Sequence, residues 1–363
     1  MGEGMLSMLY IISIAFILFS TIKYNRITIL PWASFWVIFF TLLAAFILTQ
    51  GASSPSTLKP VFFAVCTIIA FIAPQLVNVD SKIMLRLMAS FPVIGILYVS
   101  SFFADDGSIK MNVSYAFLVP IISSLVYYFT YYKEDKGKVK FLMTIVMCIN
   151  VVYFVMCLLF GSRAPSLTVF LCFLFFLCTT PKNMYGFTFK KTAWLYLVLP
   201  LIIIFNFKFF LLTTESILKT FGWEAGTIER LILLDDMGML DSGRGDINKL
   251  AFKGIADSPL WGHGMSTSEK YTGFDYPHNF ILQLLLDGGI LLFSIIVLPL
   301  IYRITKVKKT CSYSEFALLS ALFFASVPAA LFSLDLWENA TFWLFMGFLF
   351  SKRYHICSNQ SAV

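Results

Sequence analysis

Ser242 to Gly289 reads SGRGDINKLAFKGIADSPLWGHGMSTSEKYTGFDYPHNFILQLLLDGG. It ends the only long polar segment of an otherwise oily chain, holds two of the three histidines, and passes through Pro277-His278-Asn279 directly into an apolar run. A polar loop that meets a long apolar run so abruptly marks a membrane surface. The composition around it agrees. Of 363 residues 59% are hydrophobic and 13% charged, against roughly 25% charged in soluble domains. Too little polar surface remains to wrap a soluble bundle of this length. The sequence therefore predicts an all-α, polytopic integral membrane protein.

A hydrocarbon core of about 30 Å takes about 20 helical residues. On that measure the chain holds about eleven spans, or twelve if one is hidden near the start. They begin near Met5, Pro31, Pro60, Met84, Asn112, Val139, Pro165, Thr192, Asn279, Ser314 and Asn339. Pro31, Pro60 and Pro165 suit first-turn positions, where a missing N–H does no harm. Residues 1–212 form the N-terminal spans, 213–278 one large loop, and 279–363 about three further spans with a short tail. No small-residue cleavage motif follows the first apolar run, which reads as a span.

The charges orient these spans. One alternating set of ends carries seventeen bases: Lys23, Arg26, Lys82, Arg86, Lys133, Lys136, Lys138, Lys140, Lys182, Lys190, Lys191, Arg303, Lys306, Lys308, Lys309, Lys352 and Arg353. The short loops of the other set carry three, Lys59, Lys110 and Arg163. The positive-inside rule puts the first set in the cytoplasm, with the N-terminus outside and the C-terminus inside. The large loop then faces outward. Its ten acids and six bases make it net acidic, opposite to a nucleic-acid footprint. The seven cysteines lie in apolar runs or beside basic segments, so no disulfide framework or metal spacing is expected.

Within the loop, Ser216 to Trp223 suggests a short amphipathic helix. Asp246 is placed to cap a helix carrying Ile247, Leu250, Ala251 and Ile255 at helical spacing, ending at Asp257-Ser258-Pro259. Gly262-His263-Gly264 reads as a turn. His278 stands at a rigid mouth before a span, and an imidazole there can take a proton from a hydroxyl. Arg163 and Arg244 can hold phosphate oxygens bidentately, and Arg163 is kept at an outer end where bases are otherwise avoided. Lys208 could join an anion site or snorkel. Asp287 is an acid at membrane depth, functional by default, although packing beside Gly288-Gly289 could hold it. Glu338 is an outer-loop acid or interface anchor. A zinc site from His263, His278 and Asp275 lacks ligand spacing.

Gly243-Arg244 before a helix, Ser258-Pro259-Leu260-Trp261-Gly262-His263-Gly264, Pro277-His278-Asn279-Phe280 and Asp287-Gly288-Gly289 together resemble the O-antigen polymerase and ligase superfamily. Gly161-Ser162-Arg163-Ala164 resembles its upstream "SRg" element, with Ala164 where glycine is usual. Asn248 or Lys249 stands where many members have tryptophan. The motifs span Gly161 to Gly289. The resemblance implies a GT-C-type architecture and a metal-independent, inverting glycosyltransferase without cofactor. Its donor would be a glycan on undecaprenyl pyrophosphate at the periplasmic face of a bacterial inner membrane. It implies His278, Arg244 and Arg163 as catalytic residues, with Asn279, Lys208, Asp287 and Glu338 in substrate binding. A second lipid-linked repeat unit would be the acceptor, and a chain-length regulator a further partner.

Polymerase and ligase share this machinery and differ in acceptor, a lipid-linked repeat unit or lipid A–core. The compact, Phe-, Ile- and Leu-rich chain favours the polymerase. A flippase for lipid-linked oligosaccharides would carry charges along several spans and repeat symmetry, and the sequence has few such charges and one dominant outer loop.

Overall fold

The computed structural model describes residues 67–75, 80–92, 107–160, 162–181, 187–194, 196, 198, 207–222, 226–237, 244–264, 267–274, 276–337 and 339–351. Twelve helices are named in chain order: α1 (Ser81–Ser90), α2 (Gly107–Ala116), α3 (Leu118–Thr130), α4 (Gly137–Phe160), α5 (Arg163–Cys178), α6 (Phe207–Thr220), α7 (Gly226–Asp236), α8 (Arg244–Asp257), α9 (Ser268–Thr272), α10 (Phe280–Thr310), α11 (Tyr313–Phe332) and α12 (Ala340–Leu349).

Four helical stretches among the described residues are long and apolar enough to cross a membrane: Met111–Thr130, Gly137–Leu159, Phe280–Val307 and Tyr313–Phe332. They coincide with the spans expected at Asn112, Val139, Asn279 and Ser314. α5 and α12 start where spans were expected at Pro165 and Asn339, but hold only 16 and 10 residues. At 1.5 Å per residue that is about 24 and 15 Å, short of a hydrocarbon core. α5 stops because Thr179–Pro181 (β1) pairs antiparallel with Phe187–Phe189 (β2), Thr179 opposite Phe189. This three-residue ribbon is a local interruption among helices in the described residues. β-branched and aromatic residues flanking Pro181, which cannot continue a helix, favour it. The spans expected at Met5 and Pro31, and most of those at Pro60 and Thr192, lie outside the described residues.

The chain forms two compact units, one of residues 81–249 with 311–333, the other of residues 1–80, 250–310 and 334–363. In the first unit α11 packs on α1, α3 and α5. Ala317, Ala321, Ala325 and Ala329 recur every fourth residue on α11, all within 3% of complete burial. Small residues at that spacing let helix backbones approach closely. Phe175 of α5 meets Phe324 of α11 at 5.3 Å, and Phe129 of α3 stacks on Phe176 at 5.7 Å. α4 instead turns Phe141, Leu142, Val151 and Val152 outward, a face that suits lipid.

Lys82 and Arg86 both pair with the buried Asp135, and Arg86 also donates to Tyr127 at 2.8 Å. Lys133 and Lys190 line one cavity of about 240 Å³ with Tyr313 at the start of α11.

In the second unit α10 packs against α9 and α12. The buried Arg303 donates to the Leu349 carbonyl at 2.8 and 3.1 Å, satisfying the end of α12. Gly347 is needed there, since a Cβ would lie 2.3 Å from the Phe71 carbonyl oxygen.

Candidate functional site

In the second unit the site begins at Tyr276-Pro277-His278-Asn279. His278 is the one non-glycine described residue in the left-handed region, with φ 54°. That conformation disfavours a residue with a Cβ by roughly 1–2 kcal/mol, and such strain collects at functional positions. The imidazole is half-buried, edge-on to Tyr276 at 4.5 Å and 6.4 Å from Phe274. Asn279 follows as the cap of α10, its side-chain oxygen accepting from Ile281 N at 2.9 Å and Leu282 N at 3.4 Å. Those bonds orient the chain entering the helix.

α10 breaks at Gly288 (φ −138°, ψ 17°) and Gly289 (φ 61°, ψ −162°). A break within an apolar helix frees backbone groups that must find partners. The Ser258–Gly264 turn supplies them. His263 N and Gly264 N donate to the Leu286 and Asp287 carbonyls at 2.9 and 2.8 Å, while Ile290 N and Leu291 N donate to the Pro259 and Leu260 carbonyls at 2.9 and 3.4 Å. The approach is tight enough to require glycine on both sides. A Cβ on Gly262 would sit 2.4 Å from Gly288 N, and one on Gly289 2.4 Å from the Leu260 carbonyl carbon. His263 braces the turn: Nε2 donates to the Gly254 carbonyl at 2.7 Å, so Nδ1 accepts from the Tyr271 hydroxyl at 2.8 Å. His263 is thus a turn residue, as expected.

Asp287 is buried and accepts from Trp337 Nε1 at 2.9 Å. Around it lies a polar web that the sequence reading missed. Gln283 donates to Asp335 at 2.9 Å and accepts from Leu336 N at 3.0 Å, and Asp335 also accepts from Trp337 N at 2.7 Å. A glutamine placed between His278 and Asp287 in an apolar run was the available signal. Glu338 lies outside the described residues.

Arg163 and Arg244 belong to the first unit. Arg163 opens α5 and is half-buried; the preceding Ser162 is held by its N–H donating to Ser114 Oγ at 3.2 Å. Arg244 is the first residue of α8, not a residue before it, so Asp246 lies inside the first turn and does not cap it. It still suits the positive helix end and pairs with Lys249 at 2.8 Å. The Arg244 guanidinium donates to the Phe332 carbonyl, the last of α11, a favourable place for a cation.

The Tyr115 hydroxyl oxygen is sealed from solvent, with the Ser162 and Ser333 hydroxyls as its neighbours. Tyr115, Ser162 and Ser333 had no sequence signal beyond Ser162's place beside Arg163.

Lys208 is exposed and bonds Asp236 at 2.6 Å, which holds the lysine pKa above its ordinary value. The helix expected over Ser216 to Trp223 is the end of the longer α6. α6 and α7 pack through Leu211, Ile228 and Leu218. Among the described residues no three His, Cys, Asp or Glu side chains group as they would around a metal ion.

Comparison with family models finds a match to Wzy_C, described as O-Antigen ligase, over residues 148–297. The searches of curated proteins and of solved structures each return no match. The matched segment runs from α4 through Arg163, Arg244, the Ser258–Gly264 turn, His278 and the break in α10. Residues 148–297 of this polytopic membrane protein are an O-antigen ligase family domain.

Proposed function

We propose that the chain is an O-antigen polymerase, joining oligosaccharide repeat units carried on polyprenyl diphosphate at the periplasmic face of a bacterial inner membrane. The family domain makes it a ligase- or polymerase-type membrane enzyme of polysaccharide biosynthesis. The observation that supports the reading further is that the matched segment carries two arginines at helix starts within one compact unit, Arg163 on α5 and Arg244 on α8. Two planar guanidinium groups offer the paired donors that a diphosphate requires.

In the proposed step the acceptor hydroxyl oxygen bonds to the anomeric carbon from the face opposite the diphosphate. The bond from that carbon to the diphosphate oxygen breaks, and its electron pair stays on the diphosphate. The hydroxyl proton passes to His278. Arg163 and Arg244 stabilise charge that grows as the leaving group departs, so they favour the transition state over the bound donor. The loop charge bias supports a site outside the cytoplasm.

His278→Ala is expected to abolish polymer without loss of protein from the membrane; normal polymer would remove His278 from the mechanism. Arg244→Lys keeps charge and loses the planar fork, and is expected to lower transfer on the order of a hundredfold. Transfer to lipid A–core is the second reading, favoured by the matched family's description. A lipopolysaccharide gel of a deletion strain separates them. One repeat unit on the core supports polymerase; bare core with accumulated lipid-linked polymer supports ligase and overturns the polymerase assignment.

A further inference from the structure

Arg163 is the first residue of α5, and the helix stops at Cys178, where the β1–β2 ribbon takes over. The Lys190 N–H donates to the Cys178 carbonyl at 2.8 Å, which returns the chain to that far end of α5. Here Lys190 and Lys133, which follows α3, line a cavity of about 240 Å³. That is well above the roughly 30 Å³ that one water occupies in the liquid. Its wall holds Phe129 of α3 stacked on Phe176 of α5 at 5.7 Å, with Thr180 and Tyr313 completing the lining from β1 and α11. No carboxylate is among the lining residues. The acids beside Lys133 in sequence are engaged elsewhere: Lys82 holds Glu134 at 3.2 Å and Asp135 at 3.0 Å, and Arg86 also holds Asp135. Glu315 is committed to Ser312 in the cap of α11. Among the described residues neither Lys133 nor Lys190 has an ion-pair partner. Two like charges lining one cavity repel, and an anion between them reverses the sign.

We propose that this cavity binds the phosphate-bearing headgroup of an anionic phospholipid, with Lys133 and Lys190 on the phosphate oxygens. Depth favours a lipid. One apolar stretch long enough to cross a membrane ends at Thr130 and another begins at Tyr313, so the cavity lies where hydrocarbon gives way to headgroups. The loop charge bias supports the cytoplasmic leaflet for this end, and anionic lipid there attracts lysines. Free phosphate offers the same oxygens, but it has no use for an aromatic wall. Snorkelling lysines would spread into water; these two converge on a walled space. The site stands at the opposite end of α5 from Arg163, and it does not depend on the glycosyl transfer proposed for the chain.

The test titrates the full chain in detergent with phosphatidylglycerol or phosphatidylcholine and reads bound lipid by native mass spectrometry, with inorganic phosphate as competitor. Phosphatidylglycerol should bind more tightly than phosphatidylcholine, and equal affinity would overturn the proposal. Lys133→Gln is expected to weaken phosphatidylglycerol binding about fivefold, and Lys133→Gln with Lys190→Gln on the order of thirtyfold. Lys136→Gln with Lys138→Gln removes two exposed bases from the same end, outside the cavity lining, and should leave binding nearly unchanged. Thr180→Trp keeps both lysines and fills the space, so it should weaken binding as the cavity pair does. Equal loss in the two double variants, or full binding in Thr180→Trp, would overturn a built site. Displacement of the lipid by inorganic phosphate at equal concentration would overturn the lipid assignment. Lys133 is exposed, so its single variant is expected to accumulate and decides the matter if a double variant does not. Polymer formation is not the readout, so failure here leaves the glycosyl transfer reading untouched.

Discussion

The turn over Ser258–Gly264 and the Arg244 end of α8 are both polar features of an apolar protein, and they differ in how they are held. In the turn, the carbonyl and N–H groups freed by the break at Gly288-Gly289 are answered by main-chain partners, and His263 uses both ring nitrogens. The Arg244 guanidinium instead rests on the Phe332 carbonyl at the end of α11. A closed set of hydrogen bonds builds structure, whereas a guanidinium on a neutral carbonyl can exchange it for a charged oxygen. Changes in the turn should therefore strike folding, and changes at Arg244 should strike transfer while folding holds.

The largest expected effect on stability comes from Gly289→Val. Its Cβ would collide with the Leu260 carbonyl, at a φ of 61° that a β-branched residue resists. A loss of about 3 kcal/mol or more is expected, seen as failure to accumulate in membranes; a normally abundant variant would break the comparison. Trp337→Phe removes the indole donor to buried Asp287 and should lower stability by about 1–3 kcal/mol, read as a lower unfolding temperature in detergent. Arg244→Lys should change that temperature little while transfer falls steeply, and the reverse pattern would make Arg244 a helix-end residue only.

The smallest effect is reserved for Lys208→Met, on an exposed ion pair. Because Asp236 raises the Lys208 pKa, the pair contributes below the ordinary lysine range and its contribution fades as pH climbs through the raised value. Solvent screening keeps that contribution small. The unfolding temperatures of Lys208→Met and the parent should coincide near neutral pH. A clear gap there would mean that Lys208 does more than hold Asp236.

The spans were legible because length and apolarity are local properties of the chain, so α10 and α11 start within a residue of where Asn279 and Ser314 place them. The Gly262-His263-Gly264 turn was legible for the same reason. Its partner was not, because pairing with Gly288-Gly289 depends on a contact that no periodicity encodes. Asp287 illustrates the consequence: the residue was visible, but the Trp337 indole that engages it is fifty positions away. Asp246 was misplaced as a cap because the helix begins two residues earlier, at Arg244. Tyr115 is silent in sequence, since a tyrosine near the end of an apolar run is ordinary.

The glycine-tight turn also fixes the direction of what lies at its tip. Leu260 and Trp261 stand 56% and 75% exposed, on a backbone pinned from both sides to α10. A mobile loop would let such an indole wander, but here it is held like a keel on a rigid hull. A side chain at Gly262 or Gly289 that lifts the turn from α10 would therefore carry the indole away with it.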